Sequence, residues 1–207
     1  DELVQTNRRI VADVTGNVVK RSPDCTLIVV TNPVDAMAYL ALKTSGLPRN
    51  RVFGLSGVLD GARLRTFIAA ELKVSVTNVH SCILGEHGEN MVVVPRLCTV
   101  NGVALTDLLP QEAIDRLIQR TIKGGAEIVN LLKTGSAFYA PSASITRMVE
   151  AVAFDKKQIL PCAAYLDGEY GMRDIVMGVP VKLGRDGIEE IIELELSAEE
   201  RARLAVS

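Results

Sequence analysis

In the stretch ILGEHGENMVVVP, residues 83–95, His87 stands between Gly85 and Gly88, flanked by Glu86 and Glu89, after one short apolar run and before another. Imidazole titrates near neutrality, so a histidine displayed on a turn can take or give a proton during a reaction. The neighbouring glycines permit an unusual backbone and the close approach of another group. A histidine on a solvated turn would show the same pattern. His80, the other histidine, lies at a strand start in NVHSC and reads more readily as a structural polar residue.

LDGARLR places Asp60 and Arg63 three apart on one helix face, amid the apolar Val58, Leu59, Leu64, Phe67 and Ile68. The pair is either a surface ion pair or an acid that orients a base beside a forked cation suited to a carboxylate. In VTNPVD, Asn32 ends a buried strand, where parallel α/β sheets place ligand-binding groups. Asn before Pro also forms ordinary turns. As a site residue it would offer a neutral donor and acceptor to a carbonyl or hydroxyl.

These residues need elements to position them. LVQTNRRIVADVTGNVVKR spaces Leu3, Val4, Ile10, Val11, Val14, Val18 and Val19 roughly along one helical stripe. CTLIVVT is a short β-branched run expected of a strand buried on both faces. A helix ending at Gly46, a strand in RVFGLSG and a helix over VLDGARLRTFIAAEL follow, and this alternation points to α/β with parallel strands. From Val79 onward the pattern is different. VHSCILG and MVVVPRLCTVNGVAL read as strands, the second turning at Asn101-Gly102. A long helix begins at Pro110, with a kink expected at Gly124-Gly125, and PSASITRMVEAVAFD gives a shorter one. Residues 158–196 look like an antiparallel meander, and Ser197 with Glu200 forms a capping box for a last helix.

The chain has 207 residues, 48% of them hydrophobic and 23% charged, enough for a sizeable core. A net charge of −2, with both signs interleaved, gives no basic stripe for nucleic acid. No apolar run approaches the roughly 20 residues of a bilayer span, and DELVQTNRR lacks the features of a signal peptide. A cytoplasmic location without membrane attachment is the expectation. Cys25, Cys82, Cys98 and Cys162 are scattered without zinc spacing and read as reduced core residues. The opening in mid-helix and the closing helix that runs into the chain end suggest truncation at both termini.

VTNPVDAM, GLSGVLDGARLR, GEHGENMVVVP, KGGAEIVNLLKTGSAFYAPSAS and YGMRDIVMGVPVKLGRDGIEEIIEL, in this order, resemble the lactate/malate dehydrogenase family, which reduces 2-oxo acids with a nicotinamide cofactor. The resemblance covers essentially the whole chain. It implies the second half of a Rossmann-type parallel sheet over residues 1–54, followed by an α+β substrate domain over 55–207, with the helix after Tyr139 packing between them. It implies NAD as cofactor, a homodimer or homotetramer, and a place in the tricarboxylic acid cycle.

By the same resemblance His87 is the proton donor and acceptor, Asp60 orients its imidazole, and Arg63 grips the substrate carboxylate. Asn32 bonds the reacting C2 oxygen. The backbone at Val30 and Thr31 lines the nicotinamide, Asn7 lies beside the cofactor, and the Asn32-Pro33 bond is cis. The sequence holds no G-x-G-x-x-G with an acidic residue about 20 positions on, so the adenosine and pyrophosphate half of the cofactor site is not legible in it. The family's arginine-bearing mobile loop would lie just before Asp1. Ala137, where lactate-type members usually carry threonine, leaves room for a second carboxylate and favours malate and oxaloacetate as substrates. A lactate or other 2-hydroxy-acid dehydrogenase, and a catalytically inactive fragment acting only as a folding or assembly unit, are the alternatives.

Overall fold

The computed structural model describes residues 2–207. It begins with α1 (Glu2–Arg21), β1 (Leu27–Val29) and α2 (Val34–Ser45), then β2 (Val52–Leu55) and α3 (Gly57–Leu72). Five two-residue strands follow: β3 (Val79–His80), β4 (Ile83–Leu84), β5 (Val92–Val93), β6 (Thr99–Val100) and β7 (Val103–Ala104). After α4 (Leu105–Leu108) come the long α5 (Gln111–Leu132) and α6 (Tyr139–Ala153). The chain closes with β8 (Gln158–Asp167), β9 (Arg173–Gly184), β10 (Gly187–Ile191) and α7 (Ala198–Ala205).

β1 and β2 pair in parallel, Ile28 opposite Phe53, which requires the α2 crossover between them. β2 then pairs antiparallel with β8 through Gly54–Ala163 and Leu55–Cys162, and β8, β9 and β10 form the expected meander. One sheet of order β1-β2-β8-β9-β10 therefore joins the early parallel strands to the late antiparallel ones. Its core holds Phe53, Leu55, Leu84, Leu160, Leu166, Val179 and Leu183, with Met148 and Ala151 of α6 packed on it. Each fully buried side chain of this kind stabilises the fold by about 1.5–3 kcal/mol. A second core, with Leu64, Ile68, Val93, Ile114 and Leu117, fixes α3 against α5.

Several local features follow the sequence reading, and some differ from it. Gly46 ends α2 in the left-handed region, and Ser197 and Glu200 close the capping box of α7. Asn101 and Gly102, both at positive φ, turn the β6-β7 hairpin. The α1 stripe is divided: Val11 is buried toward α2 while Ile10 and Val14 are exposed. VHSCILG is not one strand but two, because β3 pairs with β6 and β4 with β5. Cys98 and Cys162 are buried, whereas Cys25 and Cys82 are partly so. The expected kink at Gly124-Gly125 is absent, since α5 runs unbroken through both. Their physical reason is a neighbouring side chain, described below. Among the described residues no helix is long and apolar enough to cross a membrane.

Candidate active site

Asp60 lies in the first turn of α3, a helix enclosed on most sides, and is 1% exposed. A carboxylate removed from water must be paired. Both of its oxygens are: Oδ1 accepts from the Arg63 guanidinium at 3.2 Å, and Oδ2 meets Nδ1 of His87 at 2.6 Å. A carboxylate only accepts, so the proton sits on Nδ1 and Nε2 is left for a substrate. The pair in LDGARLR is thus a buried relay rather than a surface ion pair.

His87 arrives on the loop after β4, and that loop is tied down along its length. Gly85, at φ +85°, exchanges two backbone hydrogen bonds with Gly178 of β9, at 2.9 and 3.0 Å. A β-carbon on Gly178 would come within 2.6 Å of the Gly85 carbonyl, so only glycine allows this approach. Glu86 N–H donates to the Ser207 hydroxyl at 2.7 Å, and His87 N–H donates to Oδ2 of Asp35 at 2.9 Å. Burial disfavours the charged imidazole, but the hydrogen bond and charge of Asp60, supported by Asp35, outweigh it and raise the His87 pKa.

Arg63 lies along α5. A β-carbon on Gly124 would stand 3.0 Å from Arg63 Cδ, and one on Gly125 would stand 3.7 Å from its guanidinium. The two glycines are a seat for the arginine, which explains why they leave the helix straight. One edge of the guanidinium holds Asp60 and the remaining donors are available to a carboxylate.

Asn32 follows β1, with Val30, Thr31 and Asn32 all exposed at the strand's carboxyl end. Asn7 of α1 reaches across and donates from Nδ2 to the Asn32 carbonyl at 2.7 Å. The Asn32-Pro33 peptide is cis. The seven residues singled out in the sequence form two groups, Asp60-Arg63-His87 and Asn7-Val30-Thr31-Asn32. Asp35, three residues beyond Asn32, connects them through the His87 amide. Sequence reasoning missed Asp35 and the Gly124-Gly125 seat, because each depends on a contact between distant segments. His80 stands apart, exposed on β3 opposite Thr99, and Ala137 lies in the loop between α5 and α6.

The exposed carboxyl end of β1, with Asn7 bracing its backbone, fits the nicotinamide end of a dinucleotide, the position such ligands take outside parallel strands. Taken together, a buried carboxylate orients an imidazole, a forked cation lies beside it, and an asparagine stands at a strand end. This set can move a proton to or from a hydroxyl while holding an acid group.

Residues 1–54 match the family model described as lactate/malate dehydrogenase, NAD binding domain, and residues 57–207 match that of the lactate/malate dehydrogenase alpha/beta C-terminal domain. A malate dehydrogenase of Dehalococcoides mccartyi is 58% identical over 207 residues, covering 100% of this chain and 67% of that protein. The solved malate dehydrogenase of Salinibacter ruber superposes with a TM-score of 0.97 at 50% identity, covering 100% of this chain and 67% of that one. The lactate dehydrogenase of Cryptosporidium parvum, solved with lactic acid and nicotinamide adenine dinucleotide, gives 0.96 at 40% identity, covering 99% of this chain and 66% of that one.

Proposed function

The chain belongs to the lactate/malate dehydrogenase family, an NAD-dependent oxidoreductase, and we propose that it interconverts malate and oxaloacetate with His87 as the acid/base. The observation that carries this is the 2.6 Å contact between His87 Nδ1 and the buried Asp60, beside Arg63. Bound NAD supplies the acceptor, or as NADH the donor, of the C2 hydride.

In the oxidative direction neutral His87 takes the C2 hydroxyl proton on Nε2 as the hydride leaves, and the resulting imidazolium is stabilised by Asp60. In reduction the imidazolium returns that proton to the new alkoxide oxygen. Arg63 holds the C1 carboxylate bidentately, which fixes the C2 oxygen toward His87. Asn32 donates to that oxygen, and the backbone at Val30 and Thr31, with Asn7, positions the nicotinamide. Residues 1–54 contribute the cofactor side and 55–207 the substrate side.

The malate assignment is supported by the high identity to malate dehydrogenases and by small Ala137 in the α5-α6 loop. We place the protein in the cytoplasm and, from the family resemblance, as a homodimer or homotetramer. Parallel assays with NADH and either oxaloacetate or pyruvate test the substrate. Oxaloacetate should be preferred in kcat/KM by about 10- to 200-fold, the discrimination a pocket achieves when one substrate leaves unfilled the space that the other occupies. A pyruvate preference would make it a lactate dehydrogenase, and turnover of neither would leave only a folding or assembly role.

A further inference from the structure

We propose that Asp35 is a positioning residue for His87, its carboxylate holding the histidine's backbone while Asp60 holds the ring, and that it thereby fixes His87 relative to Asn32. This rests on His87 being the acid/base of the site.

Two anchors from two helices act on one residue. The ring meets Asp60 of α3 and the backbone N–H meets Asp35 of α2, at 2.6 and 2.9 Å. A histidine held only at Nδ1 can still pivot about that contact, carrying Nε2 along an arc. An acceptor on its amide removes this freedom. Among the described residues the His87 amide donates to Asp35 alone.

The same carboxylate belongs to the segment that begins at Asn32. α2 starts one residue after Pro33, whose φ of −68° is set by its ring, and Asp35 lies in the helix's first turn. Only Pro33 and Val34, both with little rotational freedom, separate Asn32 from Asp35. The side chain expected on the reacting oxygen and the one expected to move its proton are therefore referred to one short rigid element. Both must meet the same atom, so their relative placement matters more than either position alone.

Asp35 occupies its place against its own solvation. Its Oδ1 is buried with no hydrogen-bond partner, an arrangement that a surface acid at a helix start would avoid. Burial pushes the carboxyl up to about 6, with the amide and charge of His87 opposing, and with Glu86 of the loop and Asp60 of α3 acting in the same sense as burial. From β9, Asp174 lines the same cavity but is engaged by Lys43 of α2. Ionised Asp35 is a charge-assisted acceptor. Protonation below about pH 6 weakens its hold on the His87 amide.

Asp35→Ala and Asp35→Asn test this in the protein, through oxaloacetate reduction by NADH across about pH 5–8, NADH affinity, and the pH dependence of the His87 amide resonance in 15N NMR. The alanine variant should lose about 10- to 100-fold in kcat, the effect of a catalytic group misplaced by about 1 Å, with NADH affinity unchanged. Asp35→Asn keeps an acceptor oxygen and should restore most of kcat. It should also abolish the fall in reduction rate on acidification through about pH 6, where His87 is already protonated and cannot itself cause a fall. The parent's amide resonance should titrate near that pH and the asparagine variant's should not. Full kcat in Asp35→Ala, or a parent amide insensitive to pH, overturns the inference. A parent that reduces no 2-oxo acid would instead overturn the reading of the site, while the amide titration would still decide whether Asp35 holds His87.

Discussion

Gly124→Ala separates what α5 does for folding from what it does for the substrate. A β-carbon there would stand 3.0 Å from Arg63 Cδ and 3.5 Å from Nε, so the arginine must shift by a few tenths of an ångström. The helix itself gains, because alanine is favoured over glycine in a helix interior by about 0.8–1 kcal/mol. Stability should therefore stay level or rise by up to about 1 kcal/mol. The substrate carboxylate should lose, since charge-assisted bonds to a guanidinium contribute about 1.5–3 kcal/mol and depend on the fork's placement. Losing half of the upper figure, about 1.5 kcal/mol, corresponds to a rise in KM for oxaloacetate of about tenfold or slightly more. Steady-state kinetics, NADH titration and thermal melting measure the three quantities on one sample. KM should rise about tenfold with NADH affinity unchanged and the melting temperature not lowered. An unchanged KM would refute the assignment of Gly124-Gly125 as the seat of a carboxylate-binding arginine.

Two further outcomes follow from the Asp60-His87 contact. Asp60→Asn keeps the shape but offers Nδ1 a donor as well as an acceptor, so the wrong imidazole tautomer becomes available; kcat should fall by up to about 10⁴-fold, the loss seen for the same change in a Ser-His-Asp triad. Because Asp60 raises the His87 pKa against burial, malate oxidation, which needs neutral imidazole, should reach its plateau only at pH above the ordinary imidazole range. Reduction should decline over the same interval, as the imidazolium is lost. An oxidation profile with its midpoint below the ordinary value would contradict the direction of that shift.

Local structure was largely legible in the residues. The helices follow from apolar spacing, the β6-β7 turn from Asn101-Gly102, and the last helix from Ser197 and Glu200, since each signal sits within a few residues of its consequence. What lay beyond reach was pairing across the chain. Nothing local in VHSCILG says that Val79 and Ile83 serve different sheets. The sequence could equally not show that β2 would pair with β8 and so carry one sheet from the first segment into the last. The site divides in the same way. His87, Asp60, Arg63 and Asn32 stood out by residue type and motif order. Asp35 looked like an ordinary acid in a helix's first turn, a place that favours negative charge regardless of function, and its partner lies 52 residues away. Gly124-Gly125 looked like a kink because glycine weakens helices, and only the Arg63 side chain against α5 shows the other use of a missing β-carbon.

The role of His87 is tested most directly by the turnover of oxaloacetate in His87→Asn at saturating NADH, with NADH binding followed on the same preparation. Removal of a general acid/base should lower kcat by about 10²–10⁴-fold while the cofactor still binds. A variant that binds NADH and turns over at nearly the parent's rate would contradict the proton-transfer role assigned to His87.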